Sequence, residues 1–522
     1  MPVRVGLPLF SAAVTLFLAS MTLGQQPPAP GSAPATGPAK LPFTLTKETT
    51  IITTPLLPDG MPDYIAVLNE RNGKGVTPDT NALVLLLQMR PANSALGFAT
   101  ESKLRDRFLE LAGAKATPAN APVFEDFSAY LNSQHAVLTD DAAELNYAGS
   151  HLWIPDQHAP LVEYLTAETK LLDLAVEASA RPHFYFPFFS GDGHLHHAVR
   201  FSYLDMYLSA LGRALCARAM FRASSGNFDE ALGDALAVKR LARLVSQRGD
   251  PTGTLLAAGY EGLANQSLAV IVASGRLSAA QCDSFAKALD LPAMPSVASF
   301  EPEWRWGLLD WMMLQAAGRL EPTDALSGWN AVLKFVDASA IDWNEALQLF
   351  NATQDQFVSI LRTASIDEMK QRAETFRPGG ADSPSEFQDF KILQRRPDEL
   401  PKAYTQRAGR WILSQIYPQT IVLVFVEHEQ RIRDANLRST MLQILLAAAK
   451  SKARTGQWPA TLQALIPNTI ARIPADPYSP AGAPLRYDIA GDHPLILSVG
   501  PDHTPDTADD ILVGDTAGRN PR

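Results

Sequence analysis

Apolar residues recur at three- and four-residue spacing along most of this chain, which is the period of an amphipathic helix and not of a strand. The pattern predicts a buried helix in "NALVLLLQMR" and an amphipathic one in "SKLRDRFLELAGA". A longer helix follows in "APLVEYLTAETKLLDLAVEASA", stopped by Arg181 and Pro182. The clearest prediction is a helical hairpin, "YLDMYLSALGRALCARAMFRASSGNFDEALGDALAVKRLARLVSQ". Its two Ala- and Leu-rich arms flank a turn in which Gly226 reverses the chain and Ser224, Ser225 and Asn227 can cap. One early stretch, "TTIITTPLL", has the β-branched content of a strand.

Gly226, Phe228, Ala231 and Ala235 fall where a tetratricopeptide-like helix pair places its turn glycine, aromatic and small packing residues. No second copy follows at a period of about 34 residues, so one solenoid-like hairpin is predicted and an array is not. Further helices are expected at "DPTGTLLAAGYEGLANQSLAVIVASG", at "LSAAQCDSFAKALDLP" behind a capping Ser278, and at "EPEWRWGLLDWMMLQAAG". The last carries Trp304, Trp306 and Trp311, read as packing residues. "RPGGADSPSEF" reads as a surface loop. The apolar run 421–426 in the final helical block is too short to cross a bilayer.

The start of the chain is patterned differently. Arg4 precedes an apolar run over 5–23, followed by the Pro- and Ala-rich "QQPPAPGSAPATGPAK". That layout predicts a signal peptide over 1–24 and an extended linker over 25–40, with Thr22 and Gly24 suiting cleavage before Gln25. An uncleaved anchor is the alternative, because the run is about long enough to span a bilayer if Pro8 is tolerated. The protein is therefore expected in the periplasm or cell envelope, with no membrane span in the mature chain. Cys216 and Cys282 either form one bridge there or are small buried hydrophobes. With 522 residues, more than one core is expected: a mixed, mostly helical region over 41–180, a helical domain over 181–433 and a distinct module over 434–522. The net charge of -10 supplies no excess of Lys and Arg to displace counterions, which argues against nucleic-acid binding.

The module over 434–522 has a specific order. A Leu- and Ala-rich helix leads to Gly456, Trp458 and Pro459, then Leu462 and Leu465, then Asp476, Pro477, Tyr478, Pro484 and Tyr487. Gly500, Asp502, Asp509, Asp510 and Ile511 close the sequence of elements. This succession resembles the soluble domain of the major pseudopilins of type II secretion, over about the last sixth of the chain. The resemblance implies a small α+β unit with a calcium-holding loop. Pseudopilins, however, begin with a prepilin-peptidase site and a polymerising helix, whereas here other sequence comes first. The resemblance therefore implies a reused folding unit and not filament assembly. The whole layout also looks like exported protein families of planctomycete-type bacteria, from which no activity carries over.

Independently of resemblance, Asp502, Asp506, Asp509 and Asp510 offer the hard oxygen ligands that calcium takes in irregular geometry. The spacing is not that of an EF-hand, and His503 alone does not make a zinc site. The same aspartates can equally cap backbone N–H groups in Asx-turns. Two further clusters carry candidate chemistry. In "GDGHLHHAVR", His194 and His197 would share a helix face, or His194 and His196 a strand face, and could hold a metal with a carboxylate from elsewhere, or simply begin a helix. In "TDDAAELNYAGSHLWIPDQH", Asp140 and Glu144 stand one helical turn apart, as general acid and base groups or as ordinary helix-start acids. No nucleophile elbow, P-loop or dinucleotide fingerprint occurs.

The sequence thus predicts a mainly α protein of helical hairpins, solenoid-like, with a small C-terminal α+β pseudopilin-like module. The expected role is a non-catalytic binding or scaffolding protein of the envelope, with an unidentified protein partner and a structural calcium ion. The alternative is an envelope hydrolase acting on glycan or peptide through the His194/His197 or Asp140/Glu144 region.

Overall fold

The computed structural model describes residues 40–89, 102–118, 120–134, 141–198, 202–319, 337–378, 395–416, 419–467, 469–490 and 492–514. The expected leader, nearly all of the linker, Asp140 and most of "RPGGADSPSEF" lie outside them.

The first elements are short helices begun by polar caps. Asp63 accepts the Ala66 N–H at 2.8 Å to start α1 (Tyr64–Gly73), and Asn81 accepts the Leu83 N–H to start α2 (Ala82–Leu86). Then come α3 (Ser102–Ala112), α4 (Phe127–Ser133) capped by Asp126, α5 (Asp141–Ala148), α6 (Ala159–Ala167) and α7 (Thr169–Ser179). "TTIITTPLL" is not a strand. Thr49 and Thr50 turn back on Thr46, and the Thr49 hydroxyl bonds the Thr44 carbonyl at 2.6 Å. Threonine hydroxyls gave this backbone a local alternative to ladder pairing.

The predicted hairpin is α8 (Ser202–Ser224) and α9 (Phe228–Val245), reversed at Gly226, whose φ of 85° suits a residue without Cβ. Asp250 caps α10 (Pro251–Ala273), which packs against both arms. Ala217, Ala231, Ala235, Ala242 and Ala264 are fully buried, and side chains this small let the helices approach closely. The stretch Gly253–Ala273 is long and apolar enough to cross a bilayer, yet here it is a helix of the core.

Ser278 and Gln281 form a reciprocal capping box at α11 (Ala279–Ala288). The tryptophans lie on α12 (Glu301–Ala316), where Trp306 stacks on Tyr64 and Trp304 meets Phe425 edge to face. Beyond α13 (Trp343–Leu361), α14 (Ile366–Thr375) and α15 (Pro401–Ile416), the 37-residue α16 (Gln419–Thr455) runs for about 55 Å. It packs against α10, α11, α13 and α14 and passes unbroken through the expected boundary at 433/434.

The sheet follows: β1 (Arg486–Ala490), β2 (His493–Ser498) and β3 (Ile511–Gly514), antiparallel in the order β1-β2-β3. Tyr487 pairs with Ile496, and Ile496 with Val513. Both β2 and β3 lie on α16 and touch α10. The described residues are thus mainly helical with a small antiparallel sheet near the C-terminus. Cys216 and Cys282 are free thiols buried on different helices, so the hydrophobe reading holds in this structure.

Candidate functional site

The aspartate-rich loop joins β2 to β3. Gly500 opens it with φ 68°, and a Cβ there would lie 2.2 Å from the Asp509 carbonyl oxygen, so only glycine fits. The carboxylates turn inward on the loop's own backbone. Asp502 accepts the Thr504 N–H at 2.7 Å, Asp509 accepts the Asp502 N–H at 2.8 Å, and Asp510 accepts the Asp506 N–H at 3.1 Å. Asp506 pairs with Arg486 at 3.3 Å. Slight burial works against the charge on Asp509, but the Thr507 hydroxyl and Asp502 N–H outweigh it and hold the carboxyl below its ordinary range.

Two residues fasten the loop to its surroundings. The buried Asp476 accepts the Tyr478 N–H at 3.0 Å, the Ser498 hydroxyl at 2.7 Å and the Val499 N–H at 2.8 Å. His503 reaches the Tyr478 carbonyl through Nδ1 and Asp367, at the start of α14, through Nε2 at 2.7 Å. Both partners are acceptors, which favours the imidazolium and raises the pKa of His503, the Tyr478 carbonyl contributing most. The donor set is oxygen-only, the chemistry calcium takes. As arranged, the Asp502, Asp509 and Asp510 oxygens answer backbone N–H groups and Asp506 answers Arg486, and among the described residues no three acidic, His or Cys side chains converge as a metal shell.

The histidine cluster folds differently from its prediction. Residues 190–198 form turns and not a helix, so His194 and His197 do not share a helix face. Pro187 and the glycines at 191 and 193 interrupt the helical pattern there. His194 is 7% exposed; its Nδ1 lies 2.9 Å from Asp310 and its Nε2 3.1 Å from Asp59. Asp310 also accepts the His196 N–H at 2.8 Å, and Arg319 pairs with Asp59. Burial disfavours the charge on His194, but hydrogen bonds to Asp310 and Asp59 prevail and push its pKa up to about 10. His197 binds Asp192 at 2.7 Å; burial of Asp192 is outweighed by that bond, and its carboxyl falls to about 2. The cluster is a buried Asp–His–Asp bridge that pins the 190–198 turns to α12 and the segment before α1.

Of the other pair, Asp140 lies outside the described residues. Glu144 on α5 meets His158 at 3.0 Å, and His158 lies edge-on to Trp153. A cleft of about 380 Å³ opens elsewhere, between α12 and α13, lined by Glu301, Arg305, Asp355, Val358, Ser359 and Arg362. None of the residues singled out from the sequence lines it, and its Arg305 is already paired with Glu301 and Asp355.

Sequence reasoning missed Asp59 and Asp310, which lie far from His194 along the chain. It also missed a buried polar knot. Lys239 directs its three N–H donors at Glu261, Asn265 and Ser439, the last two at 2.8 Å, and Arg243 grips Glu261 at 2.7 and 3.1 Å. Its signal was legible in principle: Asp234 and Lys239 interrupt the apolar stripe of α9. Three acceptors for three protons make Lys239 a satisfied ammonium and not a base.

Compared with known proteins, the chain matches no family model, no curated protein and no solved structure.

Proposed function

We propose that this protein is an exported, non-catalytic binding or scaffolding protein of the cell envelope. In this reading the apolar run over 5–23 acts as its leader, the helical body meets a protein partner, and the C-terminal unit is a reused pseudopilin-like fold whose Asp502, Asp506, Asp509 and Asp510 hold a structural calcium ion. One observation carries the non-catalytic part. His194, the strongest catalytic candidate, is withdrawn from solvent with both ring nitrogens committed to carboxylates. A general base needs a free nitrogen within reach of substrate.

The test is direct. The full chain is assayed on peptidoglycan fragments and on a casein-derived peptide mixture, beside His194→Gln and Glu144→Gln. The expected result is no turnover above the variants. Turnover that either substitution abolishes would establish the hydrolase instead. N-terminal sequencing of the protein recovered from expressing cells should begin near Gln25; a start at residue 1 would refute cleavage.

A further inference from the structure

The α6–α7 joint holds a carboxyl group that no cation among the described residues neutralises. Glu168 is the single residue between the two helices, closing α6 through its N–H to the Tyr164 carbonyl at 2.9 Å and starting α7 by accepting from Leu172 N–H at 2.9 Å. Its side chain does not cap α7, the residue is 7% exposed, and its Oε2 has no hydrogen-bond partner among the described residues. A buried, half-satisfied carboxylate is costly, whereas the neutral acid tolerates that place.

The groups around it offer no relief. The charge acting on its carboxyl is that of Glu125; Glu168 in turn acts on Tyr130 and Tyr164, of which Tyr164 also faces Asp126 and Tyr207 and Tyr130 faces Glu163. All are acids or phenols. Tyr164 is itself engaged, its hydroxyl donating to the Glu125 carbonyl at 3.0 Å and its ring meeting Phe127 and Tyr130. The near cation, Arg218, touches the Thr169 carbonyl at 3.3 Å but spends its charge on Asp173 and Asp234, each at 2.7 Å. Among the described residues no Lys, Arg or His pairs with Glu168.

We propose that Glu168 is a pH-sensitive pin for the corner made by α4, α6 and α7: protonated when the corner is closed, ionised when it opens. Burial pushes its carboxyl up to about 7, with the Glu125 charge adding and the Glu125 backbone opposing. The closed corner therefore binds one more proton than the open one between the ordinary 4.5 and about 7. Closure is fully favoured below that window and weakens as pH rises through it. Opening would free the Phe127 and Tyr164 rings beside α5, which already exposes Tyr147.

Amide exchange of the full chain, corrected for intrinsic pH dependence and read on α4, α6 and α7 peptides from pH 5 to 8, tests this. The opening constant should rise up to tenfold per pH unit to about pH 7 and then level off. Peptides from α9 and α10 should not follow. Glu168→Gln, which keeps an acceptor toward Glu125, should abolish the dependence and keep the corner closed at pH 8. Should that variant fail to fold, Glu168→Met provides the same readout. A flat wild-type profile, or an unchanged slope in the folded variant, overturns the proposal.

Discussion

Replacing His194 by Gln should cost stability in a way that depends on pH, and the size of the effect follows from its two carboxylate partners. The folded protein holds the imidazole proton up to about pH 10, whereas an unfolded chain releases it near 6.5. Between those values the native state binds one proton more, so stability falls as pH rises, by about 1.4 kcal/mol per pH unit. The contribution is complete below pH 6.5, amounts to roughly 5 kcal/mol as an order of magnitude, and is gone above pH 10. With a side chain 7% exposed, solvent screening takes little of it away. Glutamine offers one amide donor group in place of two ring N–H groups, so Asp310 or Asp59 loses one of its partners while keeping the His196 N–H or Arg319. Denaturant unfolding of both proteins at pH 6, 7.5 and 9 is the assay. The stability gap should be widest at pH 6 and narrow steadily toward pH 9, while groups titrating in both proteins cancel. A gap that stays constant with pH would show that His194 is not held as the imidazolium, and the bridge argument would fail.

Other consequences are equally measurable. Glu261→Gln removes the carboxylate that faces buried Lys239 and should cost about 3–5 kcal/mol in urea unfolding. Lys239→Met in that background should recover part of the loss, and no recovery would contradict the pairing. Gly500→Ala forces a Cβ against the Asp509 carbonyl at positive φ and should cost about 2 kcal/mol, with faster proteolysis confined to the β2–β3 loop. If the loop takes calcium, chelation lowers the melting temperature, and Asp502→Ala with Asp510→Ala removes the difference; equal melting with and without calcium leaves only the capped turn.

Much of the architecture was legible in residue order. The helical period is written in each segment, and the caps at Ser278 and the reversal at Gly226 depend on neighbours a few residues away. The strand prediction for "TTIITTPLL" failed because β-propensity expresses fit to a pleated surface, and among the described residues this segment finds only an isolated bridge from Leu56 to Pro62 and no neighbouring strand. The histidine cluster was visible as residues but not as chemistry. Its meaning depends on Asp59 and Asp310, brought in from 135 and 116 residues away.

Local chemistry therefore determined the helices, their ends, the tight turn at Gly500 and the oxygen-rich character of the closing loop. Each of these follows from contacts within one helix or one loop. The tertiary structure decided which polar groups are enclosed and with whom. Whether His194 is free or bridged, Lys239 a base or a satisfied ammonium, and Glu168 solvated or stranded depends on what distant segments bring to the same place. The free energy of a charge is set by that surrounding volume and not by its position in the chain.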